Sequence, residues 1–132
     1  MRSLRSFLRT ILVIILIPIG VFGLWIAALN LGANSLLRRR RPDPSDPPSN
    51  YGIEFEEVHF PSRDGLNLVG WWIPHDNALG TIIMCHGQNG SMDGDTRQMP
   101  PLREAGFNVL MFDFRAHGRS EGEAVTMCMY EK

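Results

Sequence analysis

Apolar and polar positions divide the chain into two parts with different patterns. Residues 11–31 contain no charged side chain, whereas arginines lie on both sides of this segment. At a rise of 1.5 Å per residue, a helix of this length would be about 31 Å long, which matches the hydrocarbon core of a bilayer. The segment is apolar on every face, which argues against an amphipathic helix on a membrane surface. We therefore predict a single-pass transmembrane anchor at residues 11–31, after a basic flank at residues 1–10.

The alternative interpretation of the apolar segment is a cleaved signal peptide. Signal peptides usually have an apolar region of about 7–15 residues, followed by a cleavage site with small residues. With Ala33 as the last residue before cleavage, Leu31 would occupy a position that requires a small side chain. We therefore expect an uncleaved anchor and a membrane location. The arginines on its two sides are nearly balanced, so the positive-inside rule leaves the side of the following domain open.

Residues 32–52 change from basic to proline-rich, which predicts a linker. Residues 42–50 carry no apolar side chain other than proline, a composition that favours an extended, polyproline-like spacer. At about 3.1 Å per residue, this spacer would hold the next domain roughly 25–30 Å from the membrane. The arginines at residues 38–41 lie beside an apolar span, which favours a role in topology or lipid-headgroup contact over nucleic-acid binding. We predict no nucleic-acid partner.

Residues 53–132 have the patterns of an α/β domain. Residues 53–61 and 66–73 have the character of strands, and the Asp64-Gly65 pair between them is a hairpin signal. Two apolar runs follow, at residues 81–85 and 107–114, and they predict parallel strands, of which the first has the pattern of a strand covered on both faces. The loops after such strands lie at one edge of the sheet, where ligands bind in α/β folds.

The connection between the two apolar runs is long enough for one crossover helix. Pro100 and Pro101 lie in the middle of this connection, so we expect a helix that is broken or begins late. Gly106 follows the last helical turn and has the position of a C-terminal cap. The connection therefore completes a βαβ unit.

Charge is unevenly distributed, although the net charge is only −1. Seven of the 13 basic residues precede Pro42 and all 14 acidic residues follow it, so the two parts carry +7 and −8. This distribution fits a basic membrane-proximal segment joined to a mildly acidic domain. Cys85 and Cys128 have no metal-ligand spacing, and we expect free thiols rather than a disulfide. The sequence carries no phosphate-loop, dinucleotide, zinc or calcium motif, so we predict neither a metal nor an organic cofactor.

The loops after the two apolar runs resemble those of a known family. The first loop reads H-G-Q-N-G from His86, and the second reads D-F-R-A-H-G-R-S-E-G from Asp113. In this combination the chain resembles the α/β-hydrolase superfamily, in particular its membrane-anchored serine-hydrolase branch of serine aminopeptidase-like or lysophospholipase-like members. The resemblance covers residues 54–122. It implies the N-terminal part of an α/β-hydrolase fold at residues 53–132, in which an antiparallel hairpin leads into parallel strands.

The resemblance also implies roles for residues of the two loops. The backbone N–H of Gln88 corresponds to a donor of the family's oxyanion hole, although a simple turn-closing role for Gln88 is the alternative. The triad histidine of the family comes late in the chain, after the acid, so neither loop histidine is expected to be catalytic. The residues expected to bind or to shape the pocket are His86, Gly87, Asn89, Asp113, Arg115, His117 and Gly118.

Residues 118–122 read G-R-S-E-G and match the nucleophile-elbow pattern G-x-S-x-G. A nucleophile elbow needs its serine on a tight turn directly between a strand and a helix. Here the predicted strand ends near Phe114, and residues 123–126 give no clear helix start. We therefore do not expect Ser120 to be a nucleophile.

The functional expectation is an N-terminal fragment of a membrane-anchored hydrolase. The resemblance implies that the full-length form hydrolyses ester, thioester or amide bonds of small-molecule, lipid or peptide substrates by serine acyl transfer. The nucleophile elbow, triad acid and triad histidine do not appear within the 132 residues, so we expect no hydrolysis by this chain alone. The alternative is a catalytically incomplete, membrane-anchored binding module whose open sheet edge pairs with another strand, for example from a second copy. A protein whose anchor is its function would leave the strand motifs unexplained.

Overall fold

The computed structural model describes residues 2–126, with side chains from Phe7 onward. It divides the chain into two compact units, of which the first ends at Leu36 and the second begins at Leu37. The first unit consists of helix α1, which begins at Arg2 and ends one residue into the second unit. The second unit is an α/β domain.

Helix α1 (Arg2–Leu37) contains the predicted anchor and continues past it. Its portion Phe7–Leu37 is long and apolar enough to cross a membrane, with a mean hydropathy of 2.8 in an 18-residue window that is not buried. Pro18 lies inside the helix, and the Asn30 side chain donates a hydrogen bond to the Ile26 carbonyl at 2.9 Å. This local bond satisfies a polar group that an apolar environment would otherwise penalise.

The domain contains a four-stranded mixed sheet with the strand order β1-β2-β4-β3. β1 and β2 form an antiparallel hairpin, β2 pairs antiparallel with β4, and β3 pairs parallel with β4. The strands are β1 (Glu56–Pro61), β2 (Asn67–Ile73), β3 (Thr81–Cys85) and β4 (Asn108–Phe112). The predicted fold class, with a hairpin that leads into parallel strands, is confirmed.

The crossover connection is broken, as its two prolines predict. It contains helix α2 (Met92–Asp95), a short 3-10 turn and helix α3 (Met99–Glu104). Pro100 and Pro101 lie in the first turn of α3, where the missing N–H groups of proline cost no helical hydrogen bond. Gly106, with φ of 94°, ends the helix and donates to the Arg103 carbonyl at 2.9 Å.

The hydrophobic core lies between β2, β4 and the crossover helices. Each strand presents alternate side chains to this layer, because successive residues of a strand point to opposite faces. The fully or nearly fully buried members are Val69, Trp71, Ile73, Met92, Met99, Val109 and Met111. The core therefore holds the crossover against the sheet and fixes where the loops after β3 and β4 begin.

Strand β3 differs from its expected environment. We expected it to be covered on both faces, and this is wrong for the residues that the structure describes. Its side chains alternate between partly buried and exposed, and Ile83 is 59% exposed. Cys85 is an exposed free thiol, which contradicts the buried position we expected for it, while Cys128 lies outside the described residues. Within residues 2–126, β3 has a pairing partner on one side alone.

The segment between α1 and β1 also differs from the free, extended spacer that its composition suggests. Residues 48–51 form a 3-10 turn in which Pro48 is buried. Asp43 and Asp46 form hydrogen bonds with residues 91–93 of the domain. Composition predicts the local extended backbone here, whereas the contacts depend on residues more than 40 positions away in the sequence.

Candidate functional site

Two loops lie side by side at the carboxyl ends of β3 and β4. Loop A, defined as residues 86–90, follows β3, and loop B, defined as residues 113–122, follows β4. The parallel register places Cys85 opposite Phe112, so the two loops leave the sheet at the same edge. This arrangement is the one predicted from the two apolar runs.

His86 joins the two loops from a buried position, with 6% of its surface exposed. Its Nε2 accepts a hydrogen bond from the Phe114 N–H at 3.0 Å, and its Nδ1 lies 2.8 Å from the Gly87 carbonyl oxygen. This pattern requires the neutral ring with its proton on Nδ1. Burial lowers the pKa of His86 below its usual value, which favours the same neutral form. Because both nitrogens are engaged, His86 organises the loops and is not a free general base.

His117 forms a second link between the loops. Its Nε2 lies 2.6 Å from the Gln88 carbonyl oxygen, and its Nδ1 lies 2.9 Å from the Arg115 carbonyl oxygen. The ring is 3% exposed and its centroid is 4.9 Å from that of His86. Each ring nitrogen thus lies within hydrogen-bond distance of a carbonyl oxygen, one in each loop, so the ring joins loop A to loop B.

The backbone N–H of Gln88 is left as an outward donor. The Gly87 carbonyl, which belongs to the same peptide unit, lies within hydrogen-bond distance of His86 Nδ1 and accepts the Gly90 N–H at 3.0 Å. In a trans peptide the N–H points away from the carbonyl, so the Gln88 N–H points away from these partners. Among residues 2–126 no acceptor receives this N–H. Asn89 lies exposed in the turn of the same loop.

Asp113 is the organising carboxylate of loop B and is fully buried. Its Oδ1 accepts the Met92 N–H and its Oδ2 accepts the Arg119 N–H, both at 2.8 Å. Gly118 has φ of 44°, and a Cβ at this position would lie 2.0 Å from Asp113 Oδ2. Gly118 therefore supplies both the backbone conformation and the space that the carboxylate needs. Asp113 connects loop B to the start of α2.

Ser120 is also fully buried and already has two hydrogen-bond partners. Its Oγ donates to the Asp113 carbonyl at 2.6 Å and accepts the Val69 N–H at 2.9 Å. A nucleophilic serine must present its Oγ to a substrate at the end of a strand. The geometry of Ser120 therefore agrees with a structural role inside loop B.

The two arginines of loop B point to different parts of the domain. Arg115 pairs with Asp64 of the β1–β2 turn at 2.6 Å, so it links loop B to the hairpin. Arg119 binds Asp93 of α2 through two contacts, at 2.5 and 3.1 Å, and its guanidinium lies 5.1 Å from the Trp71 ring centre. The hydrogen bond to Asp93 raises the pKa of Arg119. Sequence analysis missed the pair of Asp93 and Arg119, because no linear pattern connects residues that lie 26 positions apart.

The site offers hydrogen-bond donors rather than metal ligands. In the part of the chain that the structure describes, no three His, Cys, Asp or Glu side chains come close enough to hold a metal ion. What the geometry brings together is a hydrogen-bonded frame of two loops, and the Gln88 N–H is one of the backbone donors of loop A, together with those of Gly87 and Asn89, that have no acceptor among residues 2–126. Such a donor can stabilise negative charge that develops on an oxygen.

Several known proteins match part of this chain in sequence. A family profile described as the alpha/beta hydrolase fold matches residues 80–130. The Escherichia coli K12 protein named uncharacterized protein YfhR is 44% identical over 72 residues, which are 51% of this chain and 25% of YfhR. A Saccharomyces cerevisiae protein, named as an uncharacterized membrane protein, is 26% identical over 78 residues, which are 58% of this chain and 28% of that protein. The chain thus spans about a quarter of the length of the curated relatives it matches.

A solved structure shares the same architecture. The Pyrococcus furiosus esterase Pf2001 superposes with a TM-score of 0.63 at 34% sequence identity, over 72% of this chain and 36% of the esterase. The profile match contains β3, the broken crossover, β4 and both loops, which are the elements that build the site. On the sequence match, the sheet topology and this structural likeness, the chain has the N-terminal part of an α/β-hydrolase fold.

Proposed function

We propose that this chain supplies the oxyanion-binding loop of a membrane-anchored serine hydrolase. The observation that carries the proposal is the Gln88 N–H, which points away from the hydrogen-bonded Gly87 carbonyl and has no acceptor among residues 2–126. The likeness to the esterase Pf2001 supports hydrolysis of ester bonds, and the same chemistry extends to thioesters and amides. Helix α1 supports anchoring, since its apolar length matches a bilayer.

The proposed chemistry is acyl transfer in two steps. A serine outside residues 2–126 attacks the substrate carbonyl while a histidine takes the serine proton, and the carbonyl oxygen becomes an oxyanion. The Gln88 N–H donates a hydrogen bond to this oxyanion, and its fixed orientation avoids reorganisation during the reaction. Collapse of the tetrahedral intermediate expels the alcohol, thiol or amine, and water then releases the acid from the acyl-serine.

The frame of histidines gives the donor its orientation. His117 holds the Gln88 carbonyl, and His86 holds the Gly87 carbonyl, so both peptide units next to Gln88 are fixed. The pocket-shaping roles of Gly87, Asn89 and Gly118 remain part of this proposal. A donor of this kind is worth about 2.7–4 kcal/mol of transition-state stabilisation, which corresponds to a factor of about 10²–10³ in kcat.

Replacement of the donor tests the proposal, in the full-length protein made by the native gene. Gln88→Pro removes the N–H, whereas the matched control Gln88→Ala keeps it and removes the side chain. With a chromogenic ester as substrate, we expect Gln88→Pro to lower kcat about 10²–10³-fold and Gln88→Ala to change it less than about threefold. Circular dichroism and thermal unfolding of both variants show whether proline also disturbs the fold.

Two outcomes would overturn the proposal. Equal kcat for the proline and alanine variants, with both folded, would mean that the Gln88 N–H does not bind the oxyanion. A full-length protein without serine-dependent ester, thioester or amide turnover would favour the alternative of a membrane-anchored interaction module.

A further inference from the structure

The segment that follows α1 makes two separate sets of contacts with the site loops. We define the strap as residues 39–46. Its first part binds loop B and its second part binds the residues directly after loop A. All of these contacts join residues that are between 47 and 84 positions apart.

Arg39 binds loop B through its side chain and the next residue, Glu123, through its backbone. Its guanidinium donates to the carbonyl oxygens of Gly122 at 3.1 Å, Ser120 at 3.0 Å and Gly118 at 3.4 Å. Its backbone N–H donates to Glu123 at 3.2 Å, and the next N–H, that of Arg40, donates to Ala116 at 2.7 Å. One cation thus gathers three carbonyl dipoles that would otherwise repel each other, which stabilises the turn of loop B.

Asp43 binds Ser91, the residue directly after loop A. Its Oδ2 accepts the Ser91 N–H at 2.7 Å and lies 3.2 Å from Ser91 Oγ, and its own N–H donates to that Oγ at 2.9 Å. Three residues later, the Asp46 N–H donates to Asp93 Oδ1 at 3.0 Å. Asp93 is the partner of Arg119, so the strap reaches the ion pair that joins α2 to loop B.

Two glycines provide independent support for this contact. A Cβ at Gly94 would lie 2.8 Å from Asp43 Oδ2, and a Cβ at Gly90 would lie 3.3 Å from the same atom. Neither glycine has a positive φ, so backbone conformation does not explain the absence of a side chain. The space that both leave open is occupied by the Asp43 carboxylate.

We propose that the strap is a positioning element of the oxyanion-binding site, with Asp43 and Arg39 as its positioning residues. Asp43 fixes Ser91 directly after the turn that orients the Gln88 N–H, and Arg39 fixes loop B, which holds that turn through His117. The segment between the apolar helix and the domain is therefore a structural part of the site and not a spacer. Its link to catalysis rests on the function proposed above, whereas its contacts are measurable without catalysis.

Amide hydrogen exchange and proton chemical shifts of the full chain in detergent micelles test the strap. In the wild type, we expect the Ser91 and Arg40 amides to be protected, with the Ser91 proton shifted downfield because it donates to a carboxylate. Asp43→Asn is expected to speed exchange at Ser91 at least about tenfold and to move its proton upfield. Arg39→Gln is expected to speed amide hydrogen exchange in residues 116–122, because it removes the guanidinium that binds the carbonyls of this turn. Asp76→Asn and Arg41→Gln are matched controls, because both side chains are exposed and no hydrogen bond or ion pair joins either of them to residues 86–90 or 113–122.

A second variant separates the strap contact from a general loss of stability. Gly94→Ala leaves Asp43 intact but places a methyl group in the space of its carboxylate, so we expect it to reproduce the Ser91 changes of Asp43→Asn. The control is Gly87→Ala, where a Cβ meets nothing within 4 Å, and it should leave the Ser91 amide unchanged. Fast exchange at Ser91 in the wild type, or variants that match their controls, would overturn the strap. If the strap effects appear while Gln88→Pro leaves ester turnover unchanged, the positioning of the loops stands and the proposed catalytic role fails.

Discussion

Replacement of the buried Asp113 carboxylate tests whether this side chain holds loop B to helix α2. Asp113 is fully buried, and its two oxygens accept the N–H groups of Met92 and Arg119. Asp113→Asn keeps the shape of the side chain but can accept at one oxygen alone. Its amide NH₂ then faces a backbone N–H, so one buried backbone donor and the new NH₂ group are left without acceptors.

The magnitude follows from the number of unsatisfied groups. Each buried donor without a partner costs about 1–3 kcal/mol, so two such groups lower the free energy of unfolding by roughly 2–6 kcal/mol. Domains have total stabilities of about 5–15 kcal/mol, so this loss is a large part of the whole. Each kcal/mol lowers Tm by about 4–8 °C for a domain of 60–100 residues.

Guanidinium unfolding of the full chain in detergent micelles measures this loss through tryptophan fluorescence, because Trp71 is 2% exposed and lies next to Arg119. The control is Asp76→Asn, which makes the same chemical change on an exposed side chain. We expect a lower midpoint for Asp113→Asn and an unchanged midpoint for the control. If both variants unfold at the wild-type midpoint, Asp113 does not hold loop B to α2, and the frame described for the site is refuted.

Two further predictions concern the same frame. Gly118→Ala places a Cβ 2.0 Å from Asp113 Oδ2 at φ of 44°, so we expect it to lower the unfolding free energy by more than the roughly 1–2 kcal/mol of backbone strain. The loss should be smaller when Asp113→Ala is also present, because the clash is then relieved. Equal losses in both backgrounds would contradict the contact. Burial lowers the pKa of His86 below its ordinary 6.5, so the unfolded chain takes up this proton first as the pH falls. The stability that His86 contributes is therefore complete above pH 6.5 and is lost as the pH falls from 6.5 toward the lower pKa of the folded state. Guanidinium unfolding from about pH 8 to about pH 5 measures the unfolding free energy at each pH. We expect the wild type to show this decrease and His86→Gln to lack it.

The two loops were predictable from the sequence because their chemistry is local. Glycines and polar residues directly follow two apolar runs, and parallel strands bring such loops to one edge of the sheet. The partners of each loop residue were not predictable. Arg115 binds Asp64 of the hairpin turn, and Arg119 binds Asp93 of α2.

By itself, the sequence determined the elements whose causes lie within a few residues. The uncharged apolar segment determined helix α1, alternation and Asp64-Gly65 determined the hairpin, and the pair Pro100-Pro101 determined the broken crossover. These features depend on helix length, side-chain periodicity and backbone restriction, which neighbouring residues set.

Tertiary structure decided the features that depend on distant partners. The proline-rich segment has the composition of a spacer, but two residues of the strap have partners that the local sequence does not reveal. Asp43 binds the Ser91 N–H and Oγ, and Arg39 binds the carbonyls of loop B. The all-apolar strand β3 has the pattern of a covered strand, but its exposure depends on what lies beside it, and Ile83 is 59% exposed. Hydrogen bonds and burial between segments far apart in the chain are set by the packing of the whole fold, so a pattern read along one segment cannot contain them.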